Sequence, residues 1–190
     1  MTRSGERNSN TMTKNLYKIG MSMAFMPIFA LPGTIDITST TSATDIIDQN
    51  KVEISIEDER QVKADKIAKY YGDRSMPLSD KAMDFVLAAE KYDLDWRLLP
   101  AIAVRESSGG KNACYNNPFG WGSCKIKFSS HEEAIETLAK NLGGANPRTA
   151  YYYKDKTTLE KLYYYNGTVV PTYPKEVVKI MDRIGGVELD

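Results

Sequence analysis

The stretch "WRLLPAIAVRESSGG", Trp96 to Gly110, decides how this chain folds. Its apolar residues recur at helical spacing and the run stops at Gly109-Gly110, which predicts a helix. Asp95 stands where a cap belongs. Pro100 either kinks the helix or marks a later start, since proline has no amide to donate. The end of the helix is the unusual part. Glu106 follows Ala103 by three residues, Ile102 by four and Leu99 by seven, so it belongs to the apolar stripe rather than to a solvent face. It also occupies the last turn, where unpaired carbonyls carry partial negative charge. Both conditions disfavour an ionised carboxylate, and a carboxyl that keeps its proton is what general-acid chemistry needs. The plainer alternative is a helix-end glutamate paired with Arg105 or a lysine.

The residues that follow favour the chemical reading. "SSGG" (107–110) breaks the helix and frees the backbone for close approach of a ligand. "NNPFGWGSC" (116–124) supplies the amides of Asn116 and Asn117 and sets Phe119 and Trp121 beside glycines. Amides next to flat aromatic rings suit sugars, whose ring faces are apolar and whose edges carry hydroxyls. Phe119 taken alone fits the core better. A bridge between Cys114 and Cys124 would staple this loop in an oxidising compartment; two free thiols are the alternative.

Helical patterns continue on both sides. Ser79 is placed to cap "DKAMDFVLAAEKYD", with Ala82, Phe85, Val86 and Ala89 on one face. "SSHEEAIETLAKNLGG" pairs Ser130 with Glu133 as a capping box and carries Ala134, Ile135, Leu138 and Leu142 as its apolar face. Thr157 and Glu160 repeat the box in "TTLEKLYYY". "YPKEVVKIMDRIGG" opens near Pro174 and aligns Val177, Val178, Met181 and Ile184. No stretch alternates with period two, so the expected fold class is all-α, a small helical domain over 73–190. Upstream, 32–72 reads as a Ser/Thr/Asp-rich linker with one short helix from Ile56 to Gly72.

Length and charge narrow the function. The chain's 190 residues suit one modest domain with extras. Its 25 basic and 25 acidic residues cancel, and the lysines are scattered among acids, so nucleic acid is not an expected partner. One histidine and two cysteines are too few for a zinc site, and neither metal nor cofactor is expected. Lys14 and Lys18 precede an apolar run of thirteen residues, Ile19 to Leu31. That pattern predicts a signal peptide over 1–31 or, uncleaved, a membrane anchor; an ordinary buried helix is the alternative. The expected setting is therefore the cell envelope or exterior, with membrane association through this segment, and the expected state is a monomer. Seven of twelve tyrosines fall between Tyr151 and Tyr173. Tyr165 and Tyr173 stand out among them, each at a boundary between a helix and a Gly- or Pro-bearing loop, where an apolar ring with a polar tip serves a wet cleft.

Taken in order, these segments resemble the lysozyme-like superfamily. "AIAVRESSGGK" is similar to the helix end and Glu-Ser signature of soluble lytic transglycosylases. "NNPFGWGS" and "FSSHEEAIETLAKNL" look like the Asn-x-Phe-Gly segment and following helix of bacterial endo-β-N-acetylglucosaminidases, the flagellar and autolysin type. "YYNG" resembles the transglycosylase Tyr-Asn-x-Gly motif, and "YPKEVVKIM" the Tyr-led final helix of the glucosaminidases. The resemblance covers roughly 80–185. It implies a lysozyme-like helical domain with a cleft that cuts β-1,4 bonds in peptidoglycan glycan strands. Residue by residue, it implies that Glu106 is the catalytic acid/base, with Ser107 beside it. Tyr165 would be the cleft tyrosine, Tyr173 the tyrosine opening the last helix, and Asn117, Phe119 and Gly120 the cleft lining, with Trp121 as a flat sugar surface. The Gly-Leu-Met-Gln segment usual in transglycosylases is missing, which tilts the reading to the glucosaminidase branch. A lytic transglycosylase and a non-catalytic glycan-binding envelope protein are the alternatives. The loop 111–130 holds no Asp or Glu. Glu132 and Glu133 suit the helix start, and Asp155 is remote. A missing second carboxylate suits attack by the sugar's own N-acetyl group.

Overall fold

In this computed structural model the structure describes residues 43–189, with side chains from Ser55 onward. The signal or anchor expected over 1–31 lies outside the described residues. Helices make up the fold and no strand forms among the described residues, so the fold class is all-α. None of the described helices is long and apolar enough to cross a membrane.

The helix from the opening stretch is α3, Leu98–Ser107, with seven of its ten residues buried. A helix apolar on every side has to be enclosed. Pro100 is its third residue, inside the first turn, where a missing amide costs no helical bond. It therefore neither kinks α3 nor delays it. The Pro100 carbonyl accepts a 2.8 Å hydrogen bond from the buried Tyr71 hydroxyl. Asp95 accepts from the Arg97 amide and guanidinium just ahead of the first turn, at 2.9, 2.9 and 2.6 Å.

The helix expected from Ile56 to Gly72 forms and starts earlier: Ala43–Gly72 is α1, one continuous helix, and Ala64, Ile67, Tyr70 and Tyr71 are buried in the same core as α3. Lys66 Nζ donates to the Gly185 carbonyl at 2.9 Å, tying α1 to the far end of the chain, so the domain begins before residue 73. Polar side chains dominate α1, and its membership in the core rests on a narrow stripe that composition hides. Ser79 does not cap a helix. Pro77–Lys81 is a 3-10 turn without a side-chain cap, and α2 begins after it, Ala82–Lys91. The tighter turn carries Leu78 into the core, beneath the end of α3.

The remaining helices follow the pattern. In α4, His131–Leu142, Ser130 accepts from the Glu133 amide and the apolar face is buried. After a short turn of helix, α5 (Ala150–Tyr153), α6 (Thr158–Leu162) has the complete capping box of Thr157 and Glu160. The chain then widens into a π-helical turn, Tyr163–Gly167, and ends in α7, Tyr173–Gly185, with Tyr173, Val177, Met181 and Ile184 buried.

Ile67 is fully buried, so Ile67→Ala is expected to cost about 2–5 kcal/mol in urea unfolding; an unchanged midpoint would show that α1 is dispensable. Lys81 pairs with Glu132 at 2.7 Å, and this ammonium is the first cause that lowers the Glu132 carboxyl to about 2. A depressed carboxyl stabilises the fold above its unfolded value and stops doing so as pH falls through the folded one. The melting temperature of Glu132→Gln should therefore lie slightly below wild type at pH 7 and converge with it between pH 4 and about 2.

Candidate active site

The end of α3 is held by its own side chains. Ser107 is buried; its hydroxyl donates to the Ala103 carbonyl at 3.1 Å and accepts from the Gly110 amide at 3.0 Å. Ser107 thus secures the helix terminus. Ser108 then turns left-handed, with φ 54°. The double glycine likewise serves the fold. A Cβ on Gly109 would sit 2.6 Å from the Met76 sulfur, and one on Gly110 would sit 2.8 Å from Leu78 Cγ. The close approach expected for a ligand is made by the 3-10 turn instead.

These anchors leave Glu106 at the rim of a cleft of about 310 Å³, lined with Phe119, Gly120, Trp121, Gly122, Ser123, Tyr165 and Asn166. Glu106 is the sole carboxylate among those lining residues. Arg105 does not pair with it; the Arg105 guanidinium donates to Glu176 at 2.6 Å, and Glu106 is in no ion pair among the described residues. Its Oε1 is buried without a hydrogen-bond partner, and the one other such side-chain atom among the described residues is the Tyr173 hydroxyl. The two belong to one place. Burial first, then Tyr165 and Glu106, push the Tyr173 phenol well above its ordinary range, so it stays a neutral O–H. The carboxyl acts on this phenol at short range, yet the pair does not meet in hydrogen-bond geometry. Buried polar atoms are nearly always satisfied, and these two, unpaired by strict geometry, lie close enough for the carboxyl to act on the phenol.

Aromatic rings form the wall. Trp121 stacks on Tyr165 and Tyr165 on Tyr173, each at 5.8 Å between centroids with interplanar angles of 25° and 21°. The Arg105 guanidinium lies 5.7 Å from the Tyr173 ring centre, at the far end of the stack. The Tyr165 hydroxyl donates to the Phe119 carbonyl at 2.7 Å. Burial and the nearby Glu106 hold this phenol well above its ordinary range too. Tyr165 and Asn166 reach the cleft because they sit on the π-helical turn, a local distortion often found at functional sites.

Cys114 and Cys124 are joined by a disulfide, with Cα atoms 6.0 Å apart. Within the loop they close, Asn117 is buried rather than cleft-lining. Its Nδ2 donates to the Trp121 carbonyl at 2.8 Å and its Oδ1 accepts from the Trp121 amide at 3.1 Å. Asn117 is a clamp for Trp121. Phe119 packs its ring edge-on against Phe85 at 6.5 Å, as its apolarity suggests, and gives the cleft only part of its surface. Gly120 lines the cleft with φ +62°, and a Cβ there would lie 3.8 Å from Glu106 Oε2; the conformation requires glycine more than the space does. Tyr173 lies wholly buried beneath Tyr165. Gly122, Ser123 and Asn166 complete the lining without having been singled out as ligand contacts. The "YYNG" segment held the signal for Asn166, whereas nothing local marks Gly122 or Ser123.

Larger hollows of about 490 and 460 Å³ lie along α1, but they hold neither of the two orphaned buried atoms, and Arg60, which lines both, is paired with Glu90 at 2.7 Å. No group of three or more His, Cys, Asp or Glu side chains among the described residues converges as a metal site. Comparison with known protein families, curated proteins and solved structures finds no match.

Replacing Asn117 by Ala would leave the Trp121 amide unpaired in a buried setting. An expected loss of about 1–3 kcal/mol, with a weakened near-ultraviolet circular dichroism band from the unstacked Trp121, tests the clamp. An intact band would show that the stack holds the ring by itself.

Proposed function

We propose that the chain is a glycosidase of the endo-β-N-acetylglucosaminidase kind, cutting β-1,4 bonds of peptidoglycan glycan strands, with a lysozyme-like arrangement of helix, cleft and acid. The observation that carries this reading is the unpartnered, buried carboxyl oxygen of Glu106 in an aromatic-walled cleft. Glu106 donates a proton to the glycosidic oxygen as the bond to the anomeric carbon breaks. Since Glu106 is the sole carboxylate lining the cleft among the described residues, the substrate's own N-acetyl carbonyl oxygen attacks the anomeric carbon and forms a cyclic intermediate. Water then opens that ring, giving its proton to the Glu106 carboxylate and leaving a reducing-end sugar. The neutral Tyr173 hydroxyl steadies the carboxylate at the stage when it is charged. Trp121 and Tyr165 offer flat apolar faces to the sugar ring, and the Asn166 amide and Ser123 hydroxyl can bond its edges.

The disulfide supports an exported setting, since such bridges persist in oxidising compartments. The apolar run Ile19–Leu31 is the segment that would direct or anchor the chain there. A glycan-binding protein without activity would have no use for a buried unpaired acid, and this favours the enzyme.

Glu106→Gln is nearly isosteric, so the fold should keep its melting temperature while clearing of peptidoglycan in a zymogram falls by about 10²–10⁴-fold. Undiminished clearing would refute the assignment. Products should carry reducing ends; anhydro-sugars would identify the lytic reaction instead.

A further inference from the structure

Beside the cleft lies an aromatic surface that the chemistry above does not use. Tyr151 is 85% exposed, and Tyr152, Tyr163 and Tyr164 are also exposed. Their rings touch in sequence. Centroids are 5.3 Å apart for Tyr151 and Tyr152, 5.7 Å for Tyr152 and Tyr164, and 5.5 Å for Tyr163 and Tyr164. Contiguous exposed rings of this kind mark interaction surfaces in soluble proteins. The patch has firm backing: Tyr152 leans on the buried Tyr153 at 6.3 Å, and the Thr157–Glu160 capping box fixes the helix between its two halves.

Three features say what the patch holds. It adjoins the cleft wall: Tyr152 leans on Tyr153, whose phenol lies near enough to act on Tyr165, and Tyr163 and Tyr164 precede Tyr165 on the same π-helical turn. The charges near it in sequence, Arg148, Lys154, Lys156 and the buried Lys161 against Asp155 and Glu160, leave a small positive excess without the run of basic residues that grips a polyanion. Finally, a cleft of about 310 Å³ is at the small end for a ligand site, and a polymeric glycan has to leave it and cross neighbouring surface. Phenol rings fit such a strand, with apolar faces for sugar rings and hydroxyls for sugar edges.

We propose that Tyr151, Tyr152, Tyr163 and Tyr164 form a second glycan-holding surface that grips the same strand outside the cleft. This rests on the glycosidase reading. It gives the protein a grip on polymeric substrate that a short oligosaccharide cannot use.

The test uses the full chain with Tyr151, Tyr152 and Tyr164 all changed to Ser, and a companion in which the same three become Phe. In a Glu106→Gln background, co-sedimentation with insoluble peptidoglycan should show the apparent Kd rising about tenfold for the Ser variant and less than about twofold for the Phe variant. With Glu106 intact, kcat/KM on insoluble peptidoglycan should fall about tenfold for the Ser variant, while turnover of a short soluble β-1,4-linked N-acetylglucosamine oligosaccharide stays within about twofold. The companion separates loss of rings from loss of fold. Unchanged sedimentation of the Ser variant would overturn the proposal. So would equal losses on both substrates, or a wild-type dimer that the Ser variant dissolves without altering glycan binding. Should the wild type fail to cut, the glycosidase reading fails by itself, and the sedimentation result continues to report on the patch.

Discussion

The enclosure of α3 is the constraint on which the rest depends. With seven of ten residues out of water, this helix cannot end in solvent, and its last carbonyls must be met inside the protein. Ser107, Ser108 and Gly109 meet them, the last two through amides that reach Val104 and Ala103 at 3.0 Å. A helix fixed so firmly at its terminus also fixes the side chain one position earlier. Glu106 is carried to the cleft by the backbone, without a cation to neutralise it or a donor to satisfy its buried oxygen.

Around that carboxyl, parts far apart in sequence converge. The disulfide-closed loop brings Trp121, the π-helical turn brings Tyr165, and the start of α7 brings Tyr173. Each ring is held by something behind it: Asn117 for Trp121, the Phe119 carbonyl for Tyr165, and Arg105 over the Tyr173 ring, itself tied to Glu176. A site that must protonate a leaving oxygen benefits from such rigidity, because the acid's usefulness depends on a fixed position and a controlled exposure to water.

The comparison between sequence and structure separates two kinds of signal. Glu106 was legible because its spacing to Leu99, Ile102 and Ala103 placed it on the buried stripe, and α3 obeys that spacing. The capping residues Ser130, Thr157 and Glu160 were legible for the same reason, since their partners are three residues away. Asn117, Ser107 and the double glycine carry a structural role that the sequence did not show. Their residue types suit ligand contact, but their partners are Trp121, Ala103, Met76 and Leu78, and polar type alone does not say whether a group faces a cleft or a neighbouring backbone. The helix expected over Ile56–Gly72 is the part of α1 that packs, and its buried stripe shows only once Phe85 and Pro100 are placed against Tyr71.

By itself the sequence determined the local matters: an all-α chain, the caps, the apolar faces, and a glutamate at the end of an enclosed helix. These follow from interactions within a turn or two, where period and residue type suffice. Only the tertiary structure decided which polar groups became scaffold, that Cys114 and Cys124 meet, and that Glu106 faces Tyr173 while Arg105 is drawn off to Glu176. Those outcomes depend on contacts between segments up to about seventy residues apart, and whether a buried oxygen finds a partner is settled only when every surrounding element is in place.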